Sequence, residues 1–126
     1  MSMSTVLRKA GALAVAITAA ITLGTSQAQA TTAAGTVHGC PSGAFCIYPE
    51  NAEWNNDVPS HIYWEGMYNL VDQYGHHYLL NNQTDGWVVD ICRKYNGVDC
   101  PWYMVQGASW SLDLTEINSV VLRPRW

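Results

Sequence analysis

The chain has 126 residues and a formal net charge of -4, with six basic residues against ten acidic ones. So few basic residues leave no positive patch for nucleic acid or an anionic lipid surface, and the balance argues against both as partners. A chain of this length is expected to hold one folded domain.

The first segment reads as a leader. Arg8 and Lys9 precede an apolar stretch from Ala10 to Gly24, and Ala28-Gln29-Ala30 closes the segment with small residues. That layout is a secretory signal peptide over residues 1–30, cleaved after Ala30 and too short for a membrane anchor. Its short three-part form is of the bacterial kind. The expected product is a secreted, extracellular protein of residues 31–126 with no membrane association. Arg8 and Lys9 leave with the leader, so the mature form is more acidic still.

Residues 31–39 are small, polar and unpatterned, and read as a flexible tail. A single domain over residues 40–126 follows. Four cysteines in an exported chain imply two disulfides. Three pairings are possible. The turn segments Pro41-Ser42-Gly43 and Tyr95-Asn96-Gly97 lie between neighbouring cysteines and make two local bridges feasible, Cys40–Cys46 and Cys92–Cys100. Loop-closure entropy does not itself favour local pairing, because a long link would contribute more.

Helical periodicity is missing after Gly39. Short β-rich runs recur instead, at Phe45–Tyr48, His61–Trp64, Tyr68–Val71, His77–Leu80, Trp87–Cys92, Trp102–Val105 and Ser119–Arg123. Segments rich in Gly, Asn, Asp or Pro separate them, including Gly107-Ala108-Ser109. This pattern predicts an all-β sandwich or barrel. In the first strand Phe45 and Ile47 are expected on one face, with Cys46 and Tyr48 on the other. Each half of the domain carries a cysteine-bearing strand near its start and a Val-containing strand after an Asn- or Ser-containing segment. Two Greek keys packed as two sheets would account for that similarity. The seven Tyr, six Trp and one Phe all lie after Ala30. Most are expected to fill the core, with some left for a binding surface.

The stretch "CPSGAFCIY" from Cys40, the pair Asn69-Leu70, "NNQTDGW" from Asn81 and "INSVVLRP" from Ile117 together resemble the βγ-crystallin-like microbial peptidase inhibitors. This is an actinomycete family whose founding member inhibits metalloproteinases. The resemblance spans roughly residues 40–124 and implies a βγ-crystallin-like β-sandwich of two Greek keys. In that fold an aromatic, a hairpin, a second aromatic and a residue with positive φ recur, and Tyr48, Trp54 and Asn56 match those roles. Asn is the best substitute for the usual Gly there.

The resemblance also implies an inhibitory loop at the second cysteine pair, with the reactive bond carried over to Cys92-Arg93. The loop residues are then Cys92, Arg93, Lys94, Tyr95, Asn96 and Gly97. Arg93 stands where thermolysin-like enzymes prefer an apolar side chain, and the loop is longer than in the founding member, so the target class stays open. The same segment reads independently as a hairpin, because Asn-Gly at its centre favours a type I′ turn.

Many βγ-crystallin modules bind calcium through oxygen ligands. Here Asn81 and Asn82 begin such a motif, but Asp85 and Gly86 replace its hydroxyl residues, and the second half has Leu114 and Thr115 in place of its Asn/Asp pair. Asn81, Asn82 and Asp85 are weak calcium candidates, and the competing expectation is that the two asparagines brace a turn. No cofactor is expected. Catalysis finds little support: the cysteines are expected to be oxidised, none of the familiar hydrolase or phosphate-loop motifs occurs, and His76 and His77 on one strand would point to opposite faces.

The expected function is a non-enzymatic, monomeric, secreted inhibitor whose partner is a secreted endopeptidase, a metalloproteinase by resemblance. The alternatives are a structural or calcium-binding crystallin-like module, and a toxin-like or cell-wall-binding protein whose Trp and Tyr side chains stack on sugars.

Overall fold

A computed structural model describes residues 35–126. The predicted leader over residues 1–30 and the start of the predicted tail, residues 31–34, lie outside the described residues. The described part is a small all-β domain with eight strands: β1 (Ala44–Ile47), β2 (His61–Tyr63), β3 (Gly66–Asn69), β4 (His76–Asn82), β5 (Val88–Cys92), β6 (Trp102–Met104), β7 (Ser109–Asp113) and β8 (Ser119–Arg123). Seven of these coincide, within a residue or two at their ends, with the runs of β-formers in the sequence. β7 does not. Its residues were expected to follow a turn at Gly107-Ala108-Ser109, and Ser109 instead begins a strand.

Two four-stranded sheets result, in the orders β2-β1-β4-β7 and β3-β8-β5-β6. Every pairing is antiparallel. β1 lies between β2 and β4 as β5 lies between β6 and β8. The remaining strand of each half, β3 or β7, is exchanged and pairs with the sheet of the other half.

The core explains why this arrangement holds. Phe45, Ile47 and Leu79 from the first sheet meet Val89, Ile91, Met104, Val120 and Leu122 from the second in one buried cluster. Fully burying a side chain of this kind stabilises by about 1.5–3 kcal/mol before the ordering cost is counted. Both sheets contribute to this cluster, so the two halves share one core.

The outer face of β1 is also buried, which a two-layer sandwich does not require. Cys46 and Tyr48, on the face opposite Phe45 and Ile47, join Cys40, Ala44 and Leu80 in a second cluster, with Trp54 and Tyr78 packed against it. The Cys40–Cys46 disulfide covers this face. Trp54 meets Tyr48 and Tyr78 edge-on, with centroids 5.0 and 4.9 Å away. Asn56 follows at φ 54, the left-handed conformation that Asn tolerates. Gly35–Gly39 is held against the same cluster. Val37 and Cys40 form a bridge, the Tyr48 hydroxyl donates to the His38 carbonyl at 2.7 Å, and the His38 ring stacks on Trp54 with centroids 3.9 Å apart.

Candidate functional site

The second disulfide, Cys92–Cys100, closes the β5–β6 hairpin. Inside it the ladder continues: Arg93 N donates to Asp99 O at 2.8 Å and Lys94 N to Val98 O at 3.2 Å. A single 3-10 turn over Tyr95–Gly97 reverses the chain. Asn96 and Gly97 take φ 65 and 72, the two positive values that Asn-Gly supplies at little cost. Gly97 is further constrained by packing, because a Cβ there would come within 2.9 Å of Val121 Cγ2.

Side chains outside the loop fix its main chain. Asn118, just before β8, donates from Nδ2 to the Arg93 carbonyl at 2.7 Å, and its N–H donates to the Cys92 carbonyl at 3.0 Å. The Ser119 hydroxyl donates to the Lys94 carbonyl at 2.6 Å and accepts from Gly97 N at 2.9 Å. From β3, Asn69 Oδ1 accepts from Asn96 N at 2.7 Å, while its Nδ2 donates to Asn96 Oδ1 at 3.2 Å. The supporting β5–β8 pair is clamped by Arg123, whose guanidinium donates to both carboxylate oxygens of Asp90 at 2.6 and 2.9 Å. Hydrogen bonding to that carboxylate raises the Arg123 pKa further above its ordinary value.

With three successive carbonyls engaged, the outward groups of the loop are side chains. Arg93, Lys94, Tyr95 and Asn96 are exposed, whereas Cys92 is fully buried. The Arg93 guanidinium lies over the Trp102 ring at 5.0 Å from its centroid and 3.9 Å from the Asp99 carboxylate. The six residues expected from the sequence therefore lie in one braced hairpin. Asn69, Asn118 and Ser119, which hold it, were not assigned a role by sequence reasoning. The usable signal was a short polar side chain beside a strand end, a setting in which such residues bond neighbouring main chain.

The calcium candidates lie at the β4–β5 connection. Asn81 is buried. Its Nδ2 donates to the carbonyls of Trp87 and Met104 at 3.2 and 3.0 Å, and its Oδ1 accepts from Gln83 N and Nε2 at 3.1 and 3.0 Å. Asn82 Nδ2 donates to the carbonyls of Gly35 and Cys40 at 2.7 and 2.9 Å, tying the start of the domain to β4. Asp85 is exposed at φ 59. Two donors already use the Asn81 oxygen, so its geometry is that of a turn brace. His76 is exposed and His77 buried, with the His77 ring nitrogens 2.6 and 2.9 Å from the carbonyls of Tyr48 and Tyr74. Among the described residues, no group of three or more His, Cys, Asp or Glu side chains converges and no helix is long and apolar enough to cross a membrane.

No family model, curated protein or solved structure matches the chain.

Proposed function

We propose that the protein is a secreted inhibitor of an extracellular endopeptidase and presents the hairpin of residues 92–100 to the enzyme. The observation that carries this reading is the bracing of the loop, with the Cys92, Arg93 and Lys94 carbonyls all held by Asn118 and Ser119. A loop already fixed in one conformation loses little entropy on binding, which is the main physical requirement for a small protein inhibitor. The disulfide adds a covalent tether, so a cut within the loop would not separate its ends.

Arg93, Lys94 and Tyr95 are the contact side chains in this reading, and they suit an enzyme cleft that accepts basic groups. The Cys92 carbonyl is spent on Asn118 and Cys92 is buried. Contact is therefore made by the loop tip rather than through cleavage of the Cys92-Arg93 peptide. The exchange of β3 and β7 between two similarly ordered sheets supports a βγ-crystallin-like pair of Greek keys, and with it the resemblance to the microbial peptidase inhibitors.

A panel of secreted metallo- and serine endopeptidases assayed with the purified protein tests the proposal. Inhibition of at least one enzyme is expected, together with its loss in the Arg93→Gly/Lys94→Gly double variant. Inhibition unchanged in that variant rules out the hairpin as the contact, and a silent panel rules out the function.

A further inference from the structure

A groove of about 250 Å³, lined by none of the hairpin residues, lies between the turn before β1 and the β4–β5 connection. Trp64 and Trp87 line it, together with Gln83, and the exposed Glu65, Thr84 and Asp85 stand around it. Trp64 is 49% exposed. Its indole packs against the main chain at Gly43, where a Cβ would stand 3.4 Å from Cζ3. Gly43 takes φ +96, a conformation open to Gly and strained for other residues.

Gln83 is the buried member, at 4% exposed. Its Nε2 donates to Asn81 Oδ1 at 3.0 Å and to Val88 O at 3.3 Å, which fixes the orientation of the amide. Gln83 is among the residues that line the groove, and among the described residues no group donates to its Oε1. An acceptor that no protein group uses is available to a bound molecule that brings an O–H or N–H.

We propose that this groove binds a neutral saccharide. The flat C–H face of a pyranose ring would lie against an exposed indole, and one of its hydroxyls would donate to Gln83 Oε1. A sugar ring joins an apolar face to a rim of groups that both donate and accept. The lining matches that mixture: the Trp64 and Trp87 rings are the apolar surfaces, the Glu65 and Asp85 carboxylates accept, and the Thr84 hydroxyl and the indole N–H groups donate. A cationic ligand would use the ring faces and the acceptors and would leave the donors idle. This inference does not depend on the proposed inhibition, which uses a different surface.

The test is a titration of the full chain with cellohexaose, maltohexaose and N-acetylated chitohexaose, followed by tryptophan emission and calorimetry, with putrescine as the cationic control. Saturable binding of one or more of the saccharides is expected. Trp64→Ala should weaken it by about tenfold or more, with a melting curve confirming that the variant, which loses a half-buried indole, remains folded at the assay temperature. Asp85→Asn, which keeps a residue tolerant of the left-handed backbone, should weaken it as well. Saturation by none of the saccharides overturns the proposal. So does saturation by putrescine alone, or saccharide binding that is equal in both variants and the parent.

Discussion

Asn118 grips the Cys92–Cys100 hairpin at two consecutive carbonyls, with its side-chain amide 2.7 Å from the oxygen of Arg93 and its main-chain N–H 3.0 Å from that of Cys92. Residues 25 positions apart are joined in this way. Replacing Asn118 by Ala removes the side-chain bond and keeps the main-chain one. The expected cost is about 1 kcal/mol of stability. The larger effect should be local: a protease that cuts after basic residues should cleave at Arg93 or Lys94 several times faster in the variant. Limited proteolysis read by mass spectrometry checks this, and equal cleavage rates would show that the loop does not need the brace.

The two bridges should separate stability from loop order. Cys40 and Cys46 belong to the buried cluster that covers the outer face of β1. Replacing both by Ser should lower stability by about 2–3 kcal/mol through the closed loop, and by more from lost packing. In a domain of this size each 1 kcal/mol moves the melting temperature by about 4–8 °C. Replacing Cys92 and Cys100 should cost a similar amount while making residues 93–99 the preferred site of proteolysis. A Cys40/Cys46 variant with an unchanged melting temperature would contradict the scaffold role of the first bridge.

Gly97 offers a test of conformation and packing at one position. At φ 72 an alanine is strained, and its Cβ would meet Val121 Cγ2 at 2.9 Å. Gly97→Ala should destabilise by about 1–2 kcal/mol, more than an ordinary exposed substitution. Denaturant unfolding of parent and variant measures it. Asn96→Gly, which keeps access to positive φ at the neighbouring position, should cost less than Gly97→Ala.

Tyr48 carries a pH prediction. Burial, aided by the nearby Asp57 carboxylate, pushes its phenol up to about 12 from an ordinary value of 10.0. The folded state therefore holds the proton more tightly than the unfolded chain does. The resulting stabilisation is complete below pH 10.0 and is lost as the pH rises toward about 12. Stability measured by denaturant unfolding across that window should fall with pH, and the fall should be shallower in Tyr48→Phe. At neutral pH the same variant should cost about 1 kcal/mol, because it loses the hydrogen bond to the His38 carbonyl. An identical alkaline profile in parent and variant would sink the assignment.

Much of the local structure was legible in the residues. The alternation of Phe45 and Ile47 with Cys46 and Tyr48 predicts the two faces of β1, and the two clusters divide along it. The turn residues between paired cysteines made the two local disulfides feasible, and those bridges form. β7 escaped even though Ser109, Trp110, Ser111, Leu112 and Asp113 alternate between exposed and half-buried positions. Reading Gly107-Ala108-Ser109 as a turn took the first residue of the strand. β7 is also an edge strand that pairs only with β4, so it lacks the apolar run that marks a central strand.

The sequence by itself determined the all-β class, the approximate strand positions and the hairpin at Asn96-Gly97. Period-two alternation, turn chemistry and short cysteine spacing all act within a few neighbouring residues, and so each can be read in the order of the chain. The tertiary structure alone decided that β3 and β7 change sheets, that Asn118 and Ser119 hold the carbonyls of the 92–100 hairpin, and that the buried Gln83 lies beside Trp64 and Trp87 in one groove. Those features depend on which distant surfaces bury each other. That choice is made by the joint packing of Phe45, Ile47 and Leu79 against Val89, Ile91 and Met104, a sum over the whole core that no local pattern encodes.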